Sequence, residues 1–219
     1  MNLLIIGAPG SGKGTMSKFI VEDYKVRHVS TGDMLRQAVK DQTEVGIKAK
    51  SYMDNGELVP DAIINDIIVE FLKNEEMPNG FLFDGYPRTL AQAEALSEIL
   101  KSVDKKIDAV INLNIATDIL VKRTEGRRLC SNCGASFNIF FSAPKQEGVC
   151  DKCGGDLYIR TDDNAESLKM RLDEFYKNTQ PVVEYYEKLG LILEINANQD
   201  RYVVYDDIKK ALEGIQWYR

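Results

Sequence analysis

The sequence predicts an α/β fold in which a parallel sheet is covered by helices on both faces and carries two insertions. Three observations support this expectation. Short apolar runs alternate along the chain with segments whose apolar residues recur at three- and four-residue spacing. A glycine-rich turn, GAPGSGKGT at 7–15, stands directly after the first apolar run. Two stretches, 30–59 and 127–160, break the alternation and read as insertions on a core.

Taken in order, NLLII (2–6) is the first expected strand, and KGTMSKFIVEDY (13–24) is the helix after the glycine-rich turn. VRHV (26–29) is the second strand. Residues 30–59 read as all helical, a long excursion before the third strand, GFLFD (80–84). TLAQAEALSEILKSV (89–103) is a helix, DAVINLN (108–114) the fourth strand, and ATDILVKRTE (116–125) a helix. Residues 127–160 read as short strands and turns punctuated by Cys, Gly and Pro. AESLKMRLDEFYKNT (165–179) restores the helical pattern, and LILEI (191–195) is the fifth strand.

A chain of 219 residues suits one such domain with insertions. It buries well over half of its unfolded surface, so its core needs no disulfides. Lys plus Arg number 28 against 34 Asp plus Glu, a net charge of −6, which argues against bulk nucleic-acid or anionic-membrane binding. An anionic substrate then requires positive charge gathered locally, and Arg36, Arg88, Arg123, Arg127, Arg160 and Arg171 all fall in or beside the motifs below. The N-terminal apolar stretch is too short for a signal peptide and lacks a basic flank, and no run of 18 apolar residues occurs. The expected compartment is a reducing cytoplasm, where the four cysteines stay free of disulfides.

In the turn, Gly7, Gly10, Gly12 and Gly14 remove side chains so that successive backbone N–H groups converge on one anion. The helix starting near Lys13 adds the positive end of its dipole. Lys13 itself can bridge the β- and γ-phosphates of a nucleotide. The usual pattern puts a hydroxyl straight after the lysine, but here Gly14 stands there and Thr15 comes one step late. A tight turn without a ligand is the alternative, and it leaves the lysine unexplained.

STGDMLR (30–36) is a second helix start, with Ser30 and Thr31 available as caps and Asp33 in a capping-box-like relation to Ser30. Arg36 lies near the first turns, where an anion would sit; a solvated arginine is the plainer alternative. FLFDGYPRT (81–89) ends a buried strand with Asp84 and is expected to start a helix at Arg88, so that Gln92, four residues on, projects from the same face. Arginine grips phosphate with two parallel hydrogen bonds, and a glutamine amide can pair with the adenine edge. Such a face offers a phosphate clamp and a base reader about one nucleotide apart.

Cys130-x-x-Cys133, sixteen residues, then Cys150-x-x-Cys153 is a zinc-site spacing, and Gly134 and Gly154 follow the two pairs as knuckle turns require. Four thiolates leave no open coordination position, so the metal would be structural and would staple a segment too small to hold itself together. Iron in the same sulfur site, and free thiols, are the alternatives.

With Pro9 and with Gly14-Thr15 after the lysine, the glycine-rich turn resembles that of the nucleoside monophosphate kinases, in which the late threonine is normal. STGDMLR, DGYPRT with Gln92 four beyond the arginine, Gly126-Arg127-Arg128, and Arg160-Thr161-Asp162-Asp163 followed by Arg171 resemble, in order and spacing, the adenylate kinase family over nearly the whole chain. The resemblance is to its long-lid, zinc-binding bacterial type. It implies a five-stranded P-loop NTPase-like sheet flanked by helices: core at 1–29, 60–126 and 162–219, a helical AMP-binding insertion at 30–59, and a mobile zinc-ribbon-like lid at 127–161. It implies ATP on Gly10, Ser11, Gly12, Lys13, Gly14, Thr15, Arg127, Ser136, Phe137 and Gln199. It implies AMP on Thr31, Arg36, Glu57, Leu58, Val59, Gly85, Tyr86, Pro87, Arg88, Gln92, Arg160 and Arg171. Arg123, Arg160 and Arg171, with Lys13 and Arg88, would neutralise the phosphoryl group in transfer, and the four cysteines would hold zinc. Met16, Tyr86 and Phe137 depart from the commonest residues of the family at their positions.

The chemistry implied is direct in-line transfer, ATP + AMP ⇌ 2 ADP, with the lid excluding water that would hydrolyse ATP. Asp84 would hold Mg²⁺ through its water shell. AMP phosphate is already ionised, so no general base is needed, and His28, the only histidine, is expected to be structural. Two rivals stand beside this reading. A kinase for UMP/CMP or GMP is one, because a glutamine amide can flip to suit guanine. A zinc-ribbon nucleic-acid-binding switch protein is the other. Against it stand the acidic balance, the lack of an Asn-Lys-x-Asp motif, and the presence of only Lys145 and Lys152 as basic residues among the cysteines. A monomer is expected, acting on ATP, AMP and ADP without nucleic acid or membrane.

Overall fold

A computed structural model describes residues 1–55, 57–74 and 76–215. The parts of the expected segments 30–59, 60–126 and 162–219 at positions 56, 75 and 216–219 lie outside the described residues. The core chain runs β1 (Asn2–Gly7), α1 (Lys13–Tyr24), β2 (Arg27–Ser30), α2 (Thr31–Lys40), α3 (Glu44–Asp54), α4 (Asp61–Asn74), β3 (Phe81–Asp84), α5 (Leu90–Ser102), β4 (Ala109–Asn114) and α6 (Thr117–Glu125). It continues through three short strands, β5 (Arg127–Cys130), β6 (Ser136–Asn138) and β7 (Leu157–Tyr158). After these come α7 (Ala165–Glu174), a π-helical turn (Phe175–Thr179), α8 (Gln180–Lys188), β8 (Ile192–Asn196) and α9 (Arg201–Glu213).

Five strands form one parallel sheet in the order β2-β3-β1-β4-β8. All five lie within one residue of the expected runs. Side chains alternate across a strand, so Leu4 and Ile6 enter one core layer while Leu3 and Ile5 enter the other. The first layer packs beneath α4, α5 and α8 through Ile68, Leu96 and Val182; the second packs beneath α1 and α9 through Ile20 and Ile208. All of these side chains are fully buried. A sheet covered on both faces explains why its strands read as unbroken apolar runs.

Strand order places the site. From β1 the chain goes out to β2, returns to β3 beside β1, then crosses to β4 on the other flank. The connection after β1 therefore opens where the winding reverses, and ligands of open α/β sheets bind in that crevice. Ile5 of β1 pairs with Asp84 at the end of β3, and Ser30 at the end of β2 pairs with the same Asp84. Three strand ends converge on one place.

The helices of the first inserted stretch are α2 and α3, joined through a close approach. A Cβ built on Gly46 would stand 2.1 Å from the carbonyl oxygen of Ala38, so only glycine lets α3 lie against the end of α2. Asn55 and residues 57–59, read as helical, lie outside helices between α3 and α4. The second inserted stretch forms a separate antiparallel sheet, β6-β5-β7. The helix expected over 165–179 breaks instead into α7 and the π-helical turn. Among the described residues, no helix is long and apolar enough to cross a membrane.

Candidate active site

A cavity of about 970 Å³ lies over the C-terminal ends of β1, β2 and β3, between the β1–α1 loop, α2, the β3–α5 turn and the small sheet. Of the residues singled out in the sequence, Gly10 to Thr15, Arg36, Leu58, Asp84 to Arg88, Arg123, Arg127, Ser136, Phe137, Arg160, Arg171 and Gln199 line it. Thr31, Glu57, Val59 and Gln92 do not.

The loop is built around left-handed glycines. Gly10 and Gly12 have φ of 84° and 103°, and a Cβ on Gly10 would meet Thr124 Oγ1 at 2.8 Å. Its Ser11 N–H donates to Ala8 O at 3.0 Å, and α1 begins at Lys13 with the Thr15 and Met16 amides donating back to Gly12 O. Lys13 Nζ donates to Gly7 O at 2.6 Å and Ala8 O at 3.2 Å. Burial, with Arg88, Arg171 and Arg127 nearby, lowers its pKa to about 8, although Asp84 opposes the shift. Ser11 is 2% exposed, and its hydroxyl has no hydrogen-bond partner among the described residues.

The arginines converge from four elements, and most are held by carboxylates, of which the sequence reading quotes Asp162 and Asp163 without a role. Asp163 receives Arg127 through both carboxylate oxygens. Asp162 takes Arg160 with two parallel bonds of 2.9 Å and also accepts from Arg171 at 3.0 Å. Arg36 pairs with Asp33. From α6, Arg123 donates to Ser11 O at 3.0 Å and to Ala197 O at 2.9 Å, tying the loop to the segment after β8. Burial lowers the pKa of Arg171 to about 10, with Arg160, Arg127 and Arg88 adding repulsion against the pull of Asp162. Burial likewise lowers Arg88, Arg123 and Arg160 from their ordinary value. Burial works against Asp162 as an anion, yet Arg160, Arg171, Arg127 and Arg36 together hold its carboxyl below the usual range. Lys13, Arg88 and Arg123 donate to carbonyl oxygens instead, so beside the arginine–carboxylate pairs the cavity keeps a positive excess that favours anions.

Asp84 Oδ2 accepts from Ser17 Oγ at 3.3 Å and lies 3.6 Å from His28 Nε2, so the lone histidine stands at the cavity wall rather than in a purely structural place. Oxygen donors at the mouth of the phosphate loop suit a hard cation such as Mg²⁺.

The β3–α5 turn corrects one expectation. Arg88 is not on α5: Thr89 is the N-cap, and its hydroxyl accepts the Gln92 N–H at 3.1 Å. Gln92 Oε1 in turn accepts the backbone N–H of Arg88 at 2.7 Å, a capping box shifted by one residue. Gln92 is 3% exposed, and its Nε2 donates to Asp61 Oδ1 at 2.7 Å. Arg88 and Gln92 are thus neighbours through the turn, not through a shared helix face. Arg88 Nε and Thr31 Oγ1 both donate to Gly85 O, at 2.8 and 3.0 Å, and Thr179 of the π-helical turn donates to Arg88 O at 3.0 Å. The Ser30 cap does form, accepting Asp33 N–H at 3.3 Å.

In the small sheet, the sulfurs of Cys130, Cys133, Cys150 and Cys153 lie within 4.8 Å of one another. Cys130 and Cys153 Sγ stand 3.4 Å apart, and Cys133 and Cys150 Sγ 3.6 Å. Tetrahedral ligation at about 2.3 Å sets sulfurs about 3.8 Å apart, so the donor set fits a metal ion. The two knuckles repeat one geometry: Gly134 N–H donates to Cys130 O at 3.0 Å and Gly154 N–H to Cys150 O at 2.9 Å. Both glycines are left-handed, at φ of 64° and 71°. Gly155 packs on the cluster, since a Cβ there would stand 3.2 Å from Cys130 Sγ. Lys18 of α1 donates to Gly134 O, joining the cluster to the core.

The chain matches the family model "Adenylate kinase" over residues 5–191. It is 50% identical to the adenylate kinase of Geobacillus sp. strain WCH70 over 216 residues, covering 99% of this chain and 100% of that protein. To the adenylate kinase of Bacillus subtilis strain 168 it is 49% identical, again covering 99% and 100%. The corresponding protein of Bacillus licheniformis is 50% identical, with 98% and 99% covered.

Proposed function

The chain belongs to the adenylate kinase family, and we infer that it catalyses reversible phosphoryl transfer, ATP + AMP ⇌ 2 ADP. The observation that supports the assignment of roles is the meeting of two phosphate-binding turns in one cavity, β1–α1 with Lys13 and β3–α5 with Arg88. Phosphoryl transfer demands little covalent work from a protein; it demands two substrates in line and positive charge around the moving group.

Gly10 to Thr15 hold the ATP phosphates through backbone N–H groups, and Lys13 leaves Gly7 O and Ala8 O for the β- and γ-phosphates. Arg127, Ser136, Phe137 and the backbone near Gln199 contact the ATP nucleoside side. AMP lies toward Arg36, Leu58, Gly85, Tyr86, Pro87 and Arg88, with Thr31, Glu57, Val59 and Gln92 in the layer behind. Gln92 is covered, so a base reaches it only when the packing around it opens. Arg88, Arg123, Arg160 and Arg171 surround the transferring group, the last two exchanging Asp162 for phosphate oxygens. Asp84 would hold the Mg²⁺ that accompanies ATP, and the ion would supply charge neutralisation at the phosphates. Zinc is the metal proposed for the four cysteines, as a staple for 127–161, which acts as the closing lid and excludes water. The protein works as a monomer in the cytoplasm, its segments 30–59 and 127–161 moving against the core.

Lys13→Met is the direct test of the loop. It should lower kcat for ADP formation by about 10²–10³ or more with an unchanged far-ultraviolet circular dichroism spectrum. Near-normal turnover from the folded variant would overturn the assignment.

A further inference from the structure

We propose that Asp61 is the specificity-determining positioning residue for the acceptor base: it locks the polarity of the Gln92 amide and thereby sets adenine over guanine. The proposal rests on the adenylate kinase reading and deepens it.

A glutamine amide can normally exchange its donor and acceptor ends by turning over, and a single glutamine would then serve either purine. Adenine offers an amino donor beside a ring-nitrogen acceptor on its pairing edge, and guanine offers the reverse. What decides is whether the amide can turn, and in this protein both ends are held. Asp61 Oδ1 lies 2.7 Å from one end, and the backbone N–H of Arg88 lies 2.7 Å from the other. An ionised carboxylate can only accept, and a backbone N–H can only donate. The NH₂ must therefore face Asp61 and the carbonyl must face Arg88. Turned over, the amide would set carbonyl oxygen against carboxylate and NH₂ against N–H in a site that is 3% exposed, and buried like-polarity contacts are costly.

Asp61 is itself fixed. Its second oxygen accepts the hydroxyl of Thr89 at 2.8 Å, and Thr89 caps the helix that carries Gln92. Tyr86 closes the arrangement from the third side, donating to Asn65 Oδ1 at 2.8 Å, on the same helix as Asp61. Two amide functions are spent inward. One N–H and one carbonyl lone pair of Gln92 have no partner among the described residues, and with the amide held their order is fixed, where adenine and guanine call for opposite orders. Arg88, whose backbone holds the carbonyl end, lines the cavity with its side chain. The base reader and the phosphate clamp are thus one hydrogen-bonded unit, with Asp61 as its fixed point.

The test compares Asp61→Asn with Asp61→Glu, measuring kcat and KM for AMP and GMP at saturating Mg²⁺-ATP. Asparagine at 61 can present either a donor or an acceptor to Gln92, so the stronger, charged end of the lock is released without loss of volume and the Arg88 N–H alone is left to hold the carbonyl; glutamate keeps the acceptor-only carboxylate. Asp61→Asn should lower the AMP-to-GMP ratio of kcat/KM by about tenfold or more, as loss of a hydrogen bond to a charged group implies, mainly through KM. The KM for ATP should stay unchanged. Asp61→Glu should retain most of the discrimination even if it melts at a lower temperature. An unchanged ratio in Asp61→Asn would overturn the proposal, as would an equal fall in both variants, which would make Asp61 merely structural. Absence of AMP turnover in the wild-type protein would instead strike the functional reading itself.

Discussion

Lys13 stands where burial and three arginines push its proton off while Asp84 draws it back, and its pKa near 8 has two consequences with opposite uses. The charged form binds phosphate, so KM for ATP should climb as pH rises from 8 toward 10. Lys13→Arg should remove that climb, because a guanidinium keeps its proton across the window. For stability the sign reverses. The folded state releases this proton before the unfolded state, whose lysine has the ordinary value of 10.5, so the unfolded chain holds more protons between about 8 and 10.5 and stability rises with pH there. Lys13→Met should therefore unfold at higher urea than wild type at pH 7, with the gap closing by pH 10; a gap that widens would contradict the assignment. Lys13 and the glycine turn were legible in the sequence because a phosphate loop is a local structure, made by consecutive residues. The roles of Asp61, Asp162 and Asp163 were not, because each depends on a partner brought near by folding. Gln92 shows both cases at once: its spacing from Arg88 was read, but the capping of the β3–α5 turn that governs its amide was not.

Among the elements, the sheet strands were the most readable because burial on both faces leaves continuous apolar runs. Neither α4, α8 nor α9 was identified. The runs of α4, Ala62-Ile63-Ile64 and Ile67-Ile68-Val69, are rich in β-branched residues and read equally as strand, and only packing against α5 decides. The π-helical turn at Phe175–Thr179 has no local signal; it places Thr179 against Arg88, a demand of tertiary structure. Two predictions belong at this scale. Gly46→Ala drives a methyl into the Ala38 carbonyl, and should cost about 1–3 kcal/mol, or a fall in Tm of a few degrees by calorimetry. Stripping metal from the cysteine cluster with a chelator should leave β1 and β4 protected in hydrogen exchange while 127–160 loses protection, because the small sheet buries little beyond Cys130, Ala135 and Cys150. Uniform loss of protection would show that the cluster staples the whole protein.

Across the whole molecule, a net charge of −6 coexists with a cavity lined by Arg36, Arg88, Arg123, Arg127, Arg160 and Arg171. A net negative charge works against anionic polymers, while the clustered arginines give the cavity a local positive field suited to small anions; the two scales of electrostatics do separate work. Carboxylates at Asp33, Asp162 and Asp163 hold Arg36, Arg127, Arg160 and Arg171 in place, so part of the cost of crowding cations is offset inside the protein. The central claim is that the two phosphate turns hold ATP and AMP at once for direct transfer. The most direct measurement is ADP formation from Mg²⁺-ATP with AMP, GMP, CMP or UMP supplied in parallel. Rapid formation with AMP, at least a hundredfold faster than with the others on the strength of a buried, polarity-locked amide, is the expected result. No transfer to any monophosphate, from folded and metal-loaded protein, would contradict the account.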